Sequence, residues 1–286
     1  MSRVIGRSPQ PLLDSLAFPE SPRWHAGRLW FSEKRAHRVM SVDMHGASRC
    51  EVVVPGEPSG LGWSPQGDLL VVSMTDRRLL RFRGAGAEQV ADLSALARGK
   101  CNDMVVDRTG RAYVGHFGYD LGAGAPPAPA SLILVTPDGG LREVADELAF
   151  PNGCVVTPDG ATLIVAESAA SRLTAFTILD DGSLTDRRPF ADLGTTVPDG
   201  ICLDAEGAVW VADPLGCAVV RVRPGGEVVE RVPTGARGAF ACELGGADLR
   251  TLFICTYSEA ESLRPGGAPT GTIDIVGVDV PGVASS

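Results

Sequence analysis

A phrase repeated with one changing letter constrains this chain more than any other feature. "PSGLGWSPQG", "CNDMVVDRTG", "PNGCVVTPDG" and "PDGICLDAEG" share a frame: a small or polar opening, an apolar run, and a turn glycine at Gly67, Gly110, Gly160 and Gly207. "PESPRWHAG", closing on Gly27, is the same phrase one residue shorter. Each turn glycine is followed by a β-rich run such as "RLWFSE", "DLLVVSM", "ATLIVAES" or "AVWVAD". A second run and, in most units, a more polar third follow, so each unit reads as four short strands. Six units recur at roughly 40 to 50 residues, the period of propeller blades. The alternation in "SLILVT" and "RLTAFTI" is nearer 2 than 3.6, and no long amphipathic helix is readable. The expectation is an all-β chain: a six-bladed β-propeller of four-stranded blades, one domain over residues 1–286.

The sixth unit runs out after its third strand, "TIDIVGVDVPG", because only "VASS" remains. The stretch around residues 8–18 precedes the first phrase and has no blade of its own. It is expected to supply the missing outer strand, so that the N-terminal strand closes the ring and removes its exposed edges.

Composition excludes several partner classes. The formal net charge of -9, without a long basic cluster, argues against nucleic acid and anionic membrane surfaces. No apolar run approaches the roughly 20 residues of a membrane span, and the first residues lack the apolar core of a signal peptide. Seven cysteines form no CxxC pair, and Cys154, Cys202 and Cys242 lie in apolar segments, which suits buried reduced thiols. The expectation is a cytoplasmic protein, a monomer or weak homo-oligomer, acting on a small molecule.

Strand direction separates the two ends of the ring. Strands alternate within a blade, so the phrase openings share a face with the ends of the second strands: Glu33, Ser73, His116, Glu167, Asp213 and Tyr257. The irregular segments "YDLGAGAPPAPAS" and "SEAESLRPGGAPTG" leave from that face. Segments that long are commonly binding loops or lids, which makes this face the working mouth.

The second letter of the phrase reads Glu20, Ser59, Asn102, Asn152 and Asp199. In equivalent blades these residues stand at one height around the axis. Glu20, Asn102, Asn152 and Asp199 are hard oxygen donors, a set suited to one divalent cation: Ca²⁺ first, with Mg²⁺, Mn²⁺ or Zn²⁺ as alternatives. Asn-Gly and Asp-Gly also form plain turns, as at Asp138 and Asp159, but those close strands at the opposite face. Ser59 is the weakest donor, expected to be pocket wall. Trp24, Trp63 and Trp210 read as core, and His25 as solvated.

The segments "PESPRW", "CNDMVVDRTGRAYVG", "PNGCVVTPDG" and "VPDGICLDAEGAVWVA" closely resemble the senescence marker protein, gluconolactonase and luciferin-regenerating enzyme family, over nearly the whole chain. The resemblance implies a six-bladed propeller with a divalent cation in its channel and lactone hydrolase activity. By motif it implies Glu20, Asn152 and Asp199 as metal ligands. Asn102 and Asp103 fall on the family's "ND" pair, which contacts substrate or completes the metal's water shell. Lys100 falls where many relatives carry a substrate-holding arginine. It further implies Asp199 as ligand and general base for metal-assisted lactone opening, with Asp103 as the rival base. The segment "GHFGYD" departs from sugar-lactone members: His116, Phe117 and Tyr119 would favour a hydrophobic or aromatic ring, with His116 a possible general acid or a polar wall residue. Two other readings stay open: a non-hydrolytic isomerase, cyclase or C–C bond enzyme on the same fold, and a non-catalytic metal-binding propeller.

Overall fold

The computed structural model describes residues 3–4, 8–84, 86–258 and 268–283. Six antiparallel sheets stand around one axis, each ordered from an inner to an outer strand. The inner strands are Pro19–His25, Pro58–Trp63, Cys101–Val106, Pro151–Val156, Ile201–Leu203 and Gly238–Gly245. The first five carry the repeated phrases. Their polar openings face one end of the channel and their turn glycines the other.

The phrase's closing letters explain the turn. Gly67, Gly110, Gly160 and Gly207 donate N–H to the carbonyls of Ser64, Asp107, Thr157 and Asp204, three residues back. All four have φ between +74° and +85°, the left-handed region in which glycine has no side-chain penalty. Asp107 and Asp204 add side-chain bonds to the backbone two and four residues on, so the Asx chemistry sets where the strand stops. A second glycine slot is steric. A Cβ on Gly60 would stand 2.4 Å from the Met104 nitrogen, and one on Gly153 2.6 Å from the Ile201 nitrogen. The inner strands converge too closely at these points for a side chain.

The core is divided into six buried clusters, one at each blade interface. Fully burying a large apolar side chain contributes about 1.5–3 kcal/mol, so stability lies between the blades and depends on an unbroken ring. Blade 6 is closed as expected: Gln10–Leu16 pairs antiparallel with Gly271–Gly277 as its outer strand. Leu16 enters the apolar cluster between blades 6 and 1, which joins the two ends of the chain. One detail goes beyond the sequence reading. Arg3–Val4 adds a short parallel fifth strand to blade 5, outside Val228–Pro233.

Trp210 is fully buried, as expected of core, but Trp24 and Trp63 are only partly buried. His25 is not simply solvated: its ring stacks on Trp63 at 4.0 Å and 11°. Cys154, Cys202 and Cys242 are buried and free. Among the described residues, no helix is long and apolar enough to cross a membrane. Most of "SEAESLRPGGAPTG", one of the two expected mouth loops, lies outside the described residues.

Candidate active site at the channel mouth

The register places the phrase openings beside the second-strand ends: Pro19 opposite Glu33, Pro58 opposite Ser73, Cys101 opposite His116, Pro151 opposite Glu167 and Gly238 opposite Tyr257. Three of the second-strand ends act as fasteners. Glu33 and Glu167 accept the N–H groups of Ala17 and Ala149 at 2.9 and 2.8 Å, and Asp213 accepts that of Val197 at 3.3 Å. The chain entering each inner strand is thereby fixed just before its site residue.

One step into the channel, the variable slot holds Glu20, Ser59, Asn102, Asn152 and Asp199, with Ala239 in blade 6 by the same register. Asn102 and Asn152 are oriented from behind. The Asn102 amide donates to the Pro151 carbonyl at 3.4 Å, and the Asn152 amide donates to Ser168 Oγ at 3.2 Å. Ser168 in turn donates to the Pro198 carbonyl at 2.6 Å, next to Asp199. Asp199 itself is fixed by its backbone, with N–H to Ala212 O at 3.0 Å and C=O accepting from Gly153 at 3.2 Å.

Three carboxylates converge here. Burial and the neighbouring Glu20 and Asp103 push the Asp199 carboxyl well above its ordinary value, against the opposing pull of Lys34 and a hydrogen bond from Asn152. Burial also raises Glu20, Lys34 lowers it, and Asp103 raises it further. Carboxylates that raise one another mark a site that gains from a cation. The ammonium of Lys34, 3.7 Å from Glu20 Oε1, is the cation the chain itself supplies to Glu20.

Asp103 lies one residue deeper and is occupied. Its Oδ1 accepts from Ser21 Oγ at 3.3 Å, Arg23 at 3.2 Å and the Met104 N–H at 2.8 Å. Asp103 therefore anchors Arg23 across the channel, an arrangement that weakens its case as a base. Lys100 stands at the mouth, ion-paired to Glu57 at 2.6 Å.

His116 requires a correction. It was expected to line the mouth, yet it is 1% exposed and points into blade 3. Nε2 lies 3.0 Å from Ser131 Oγ, and Nδ1 accepts the Gly118 N–H at 3.0 Å. Burial lowers its pKa and favours the neutral ring. A side chain on a central strand alternates faces, and this one falls on the face turned toward the neighbouring strand's serine. Tyr119 remains at the mouth, edge-on to Phe150 at 6.2 Å, and Phe117 stacks on Phe150 at 4.7 Å.

Several mouth residues escaped the sequence reading. Phe18, Glu57, Phe150 and Val197 share with Lys100 the place two before the variable slot, so the same register could have singled them out. Phe18 packs with Phe240 at 4.9 Å and Tyr257 at 4.6 Å, and the Arg35 guanidinium lies over both Phe18 and Tyr257. Ser21, Glu57 and Phe150 hold φ of +48°, +63° and +60° without being glycine.

A divalent cation fits this donor set. Two carboxylates, Glu20 and Asp199, can neutralise it, and the two amides, whose nitrogens are engaged by hydrogen bonds, keep oxygens that could join them. Among the described residues, no three or more His, Cys, Asp or Glu side chains form a metal cluster by themselves.

A six-bladed propeller with an acidic, oxygen-lined channel mouth defines the class of protein. Residues 18–258 match the model of the SMP-30/gluconolactonase/LRE-like region, and the chain belongs to that family. It is 28% identical to 6-deoxy-6-sulfogluconolactonase of Pseudomonas putida, covering 93% of this chain and 92% of the relative. It is 24% identical to regucalcin of Gallus gallus, over 94% of each. Among solved structures, the calcium-binding protein regucalcin of Agrobacterium tumefaciens superposes with a TM-score of 0.82 at 22% identity, covering 99% of this chain and 98% of that one.

Proposed function

We propose that this protein is a divalent-cation-dependent hydrolase that opens a lactone at the channel mouth. The observation that carries the reading is the convergence of Glu20 and Asp199 with the two back-pinned amides, Asn102 and Asn152, at one level of the channel. A relative named as a lactonase supports the activity class, and a solved neighbour described as a calcium-binding protein supports a divalent cation. Glu20, Asn152 and Asp199 would hold the cation, with Asn102 beside them. When bound, it supplies charge that polarises the lactone carbonyl and offsets the repulsion among the carboxylates.

The chain's residues do the rest. Asp199 acts as general base, taking a proton from the attacking water. The ring oxygen leaves as an alkoxide and recovers that proton, giving the hydroxy acid. Arg23 holds the Asp103 side chain in place beneath the site. Lys100 and Glu57 contact the polar substituents of the substrate at the rim. Phe117, Phe150 and Tyr119 cover the ring's apolar face and exclude water from that side.

The test is a panel of sugar and aryl lactones assayed by acid release after chelation, then after return of Ca²⁺, Mg²⁺, Mn²⁺ or Zn²⁺. Activity should vanish on chelation and return with at least one ion. Turnover that survives chelation would remove the cation from the mechanism. The aromatic shelves favour one alternative, a non-hydrolytic step on an aromatic substrate. Failure of every lactone with every ion would move that reading ahead.

A further inference from the structure

The channel does not end at the carboxylates. On the floor side it widens into a cavity of about 350 Å³, to which the inner strands of all six blades contribute. Leu61, Trp63, Val106, Val156 and Leu203 are among its walls, and Arg108, in a floor turn, stands at its edge. Neither Glu20, Asn102, Asn152 nor Asp199 lines it. Arg23 crosses from blade 1 to Asp103 in blade 3 and separates the two chambers.

The inner end of this cavity is polar and nearly balanced in charge. Arg23 lines it while donating to Pro22 O at 2.8 Å, Met104 O at 2.7 Å and Asp103 at 3.2 Å. Those bonds use three of the five N–H groups a guanidinium carries. Glu243 lines the same end, with Oε1 accepting the Leu244 N–H at 3.0 Å. Burial pushes the Glu243 carboxyl up to about 7, so near neutrality it has a proton to donate. An anionic head group would face the Asp103 carboxylate behind Arg23, whereas a cationic one would face Arg23 itself. A neutral acceptor meets donors from both sides. The volume falls in the lower part of the range for small-molecule pockets, and apolar walls with few convergent polar groups are their usual composition.

We propose that the floor cavity is a second small-molecule site, selective for an uncharged apolar compound bearing a carbonyl group. Its carbonyl oxygen accepts from Arg23 and Glu243, and its apolar body lies along Val106, Val156 and Leu203. The site is independent of the chemistry at the mouth.

The test uses the full chain and 6-propionyl-2-dimethylaminonaphthalene, a neutral naphthyl ketone whose emission shifts to the blue in apolar surroundings. One saturable site with a Kd of roughly micromolar order is expected, with energy transfer from Trp63 that falls in Trp63→Phe. Val156→Trp fills the cavity and should weaken binding about tenfold or more. Glu243→Leu removes a donor and should weaken it about three- to tenfold. Asp199→Ala should bind like the parent chain. Melting curves establish that each variant is folded. Binding unchanged in Val156→Trp, binding lost in Asp199→Ala, or no saturable binding by the parent chain would each overturn the proposal. So would tighter binding of the anionic 8-anilinonaphthalene-1-sulfonate in competition with the ketone. Because Asp199→Ala separates the chambers, failure of the lactonase reading leaves this outcome untouched.

Discussion

The two ends of the channel are built from the same six strands yet have opposite chemistry. At the mouth, the first polar slot of each phrase supplies Glu20, Asn102, Asn152 and Asp199, and the carboxyls raise one another's pKa. At the floor, the later letters supply Leu61, Val106, Val156 and Leu203 around two polar groups, Arg23 and Glu243. Moving about four residues along a strand, roughly 13 Å, is enough to change a cation site into an apolar pocket. The Arg23–Asp103 bridge is what keeps them apart.

The sharpest way to break this contrast is at the mouth. Asp199→Ala should lower kcat/KM for a responsive lactone by about a thousandfold or more, on the scale of losing a base and a ligand together. Its melting temperature should change little. Retained activity would show that Asp199 is neither. The partition comes next. Arg23→Met leaves Asp103 buried beside its lost partner, and urea unfolding should show a loss of about 3–5 kcal/mol, as for one half of a buried ion pair.

The floor offers a pH experiment. Glu243 has a folded pKa of about 7, raised by burial from its ordinary 4.5. The unfolded state ionises first as pH rises, so stability is full below about 4.5 and is lost progressively through about 7. Glu243→Gln should remove that decline and be more stable above neutrality by an amount on the order of 3 kcal/mol, read from unfolding curves between pH 4 and pH 8. An unchanged pH profile would place Glu243 in water.

Two smaller effects sharpen the mouth. His116→Ala should cost about 1–3 kcal/mol of stability, because it strips Ser131 and the Gly118 N–H of a buried partner, while kcat/KM shifts less than about twofold. A large fall in kcat/KM with unchanged stability would return His116 to the mouth. Phe150→Ala should reduce kcat/KM for an aryl lactone about tenfold and for a polyol lactone about twofold or less, if the shelf holds an apolar ring. Equal losses on both would assign Phe150 to loop support.

Much of the site was legible because the fold is periodic. Glu20, Asn102, Asn152 and Asp199 could be placed at one height from a single frame, since equivalent letters in equivalent blades must share a level. His116 was misjudged for a related reason. The register correctly put it at the mouth end of its strand, but which face a side chain takes depends on its neighbours, here Ser131 on the next strand. Asp103 was legible as a polar residue beside the site. Its engagement by Arg23 was not, because 80 residues separate the pair in the chain.

By itself, the sequence determined the number of blades, the turn that ends each inner strand, the closing N-terminal strand and the level of the oxygen donors. Each follows from local chemistry repeated at a fixed period: a glycine at positive φ, an aspartate that caps its own turn, apolar letters two apart. Only the tertiary structure decided what the channel contains. The Arg23 bridge, the burial that raises Glu243, the aromatic shelf of Phe117 and Phe150, and the inward turn of His116 arise where different blades, or strands within one blade, meet. Burial and charge at such meeting points are sums over neighbours far apart in the chain, and no single phrase carries that sum.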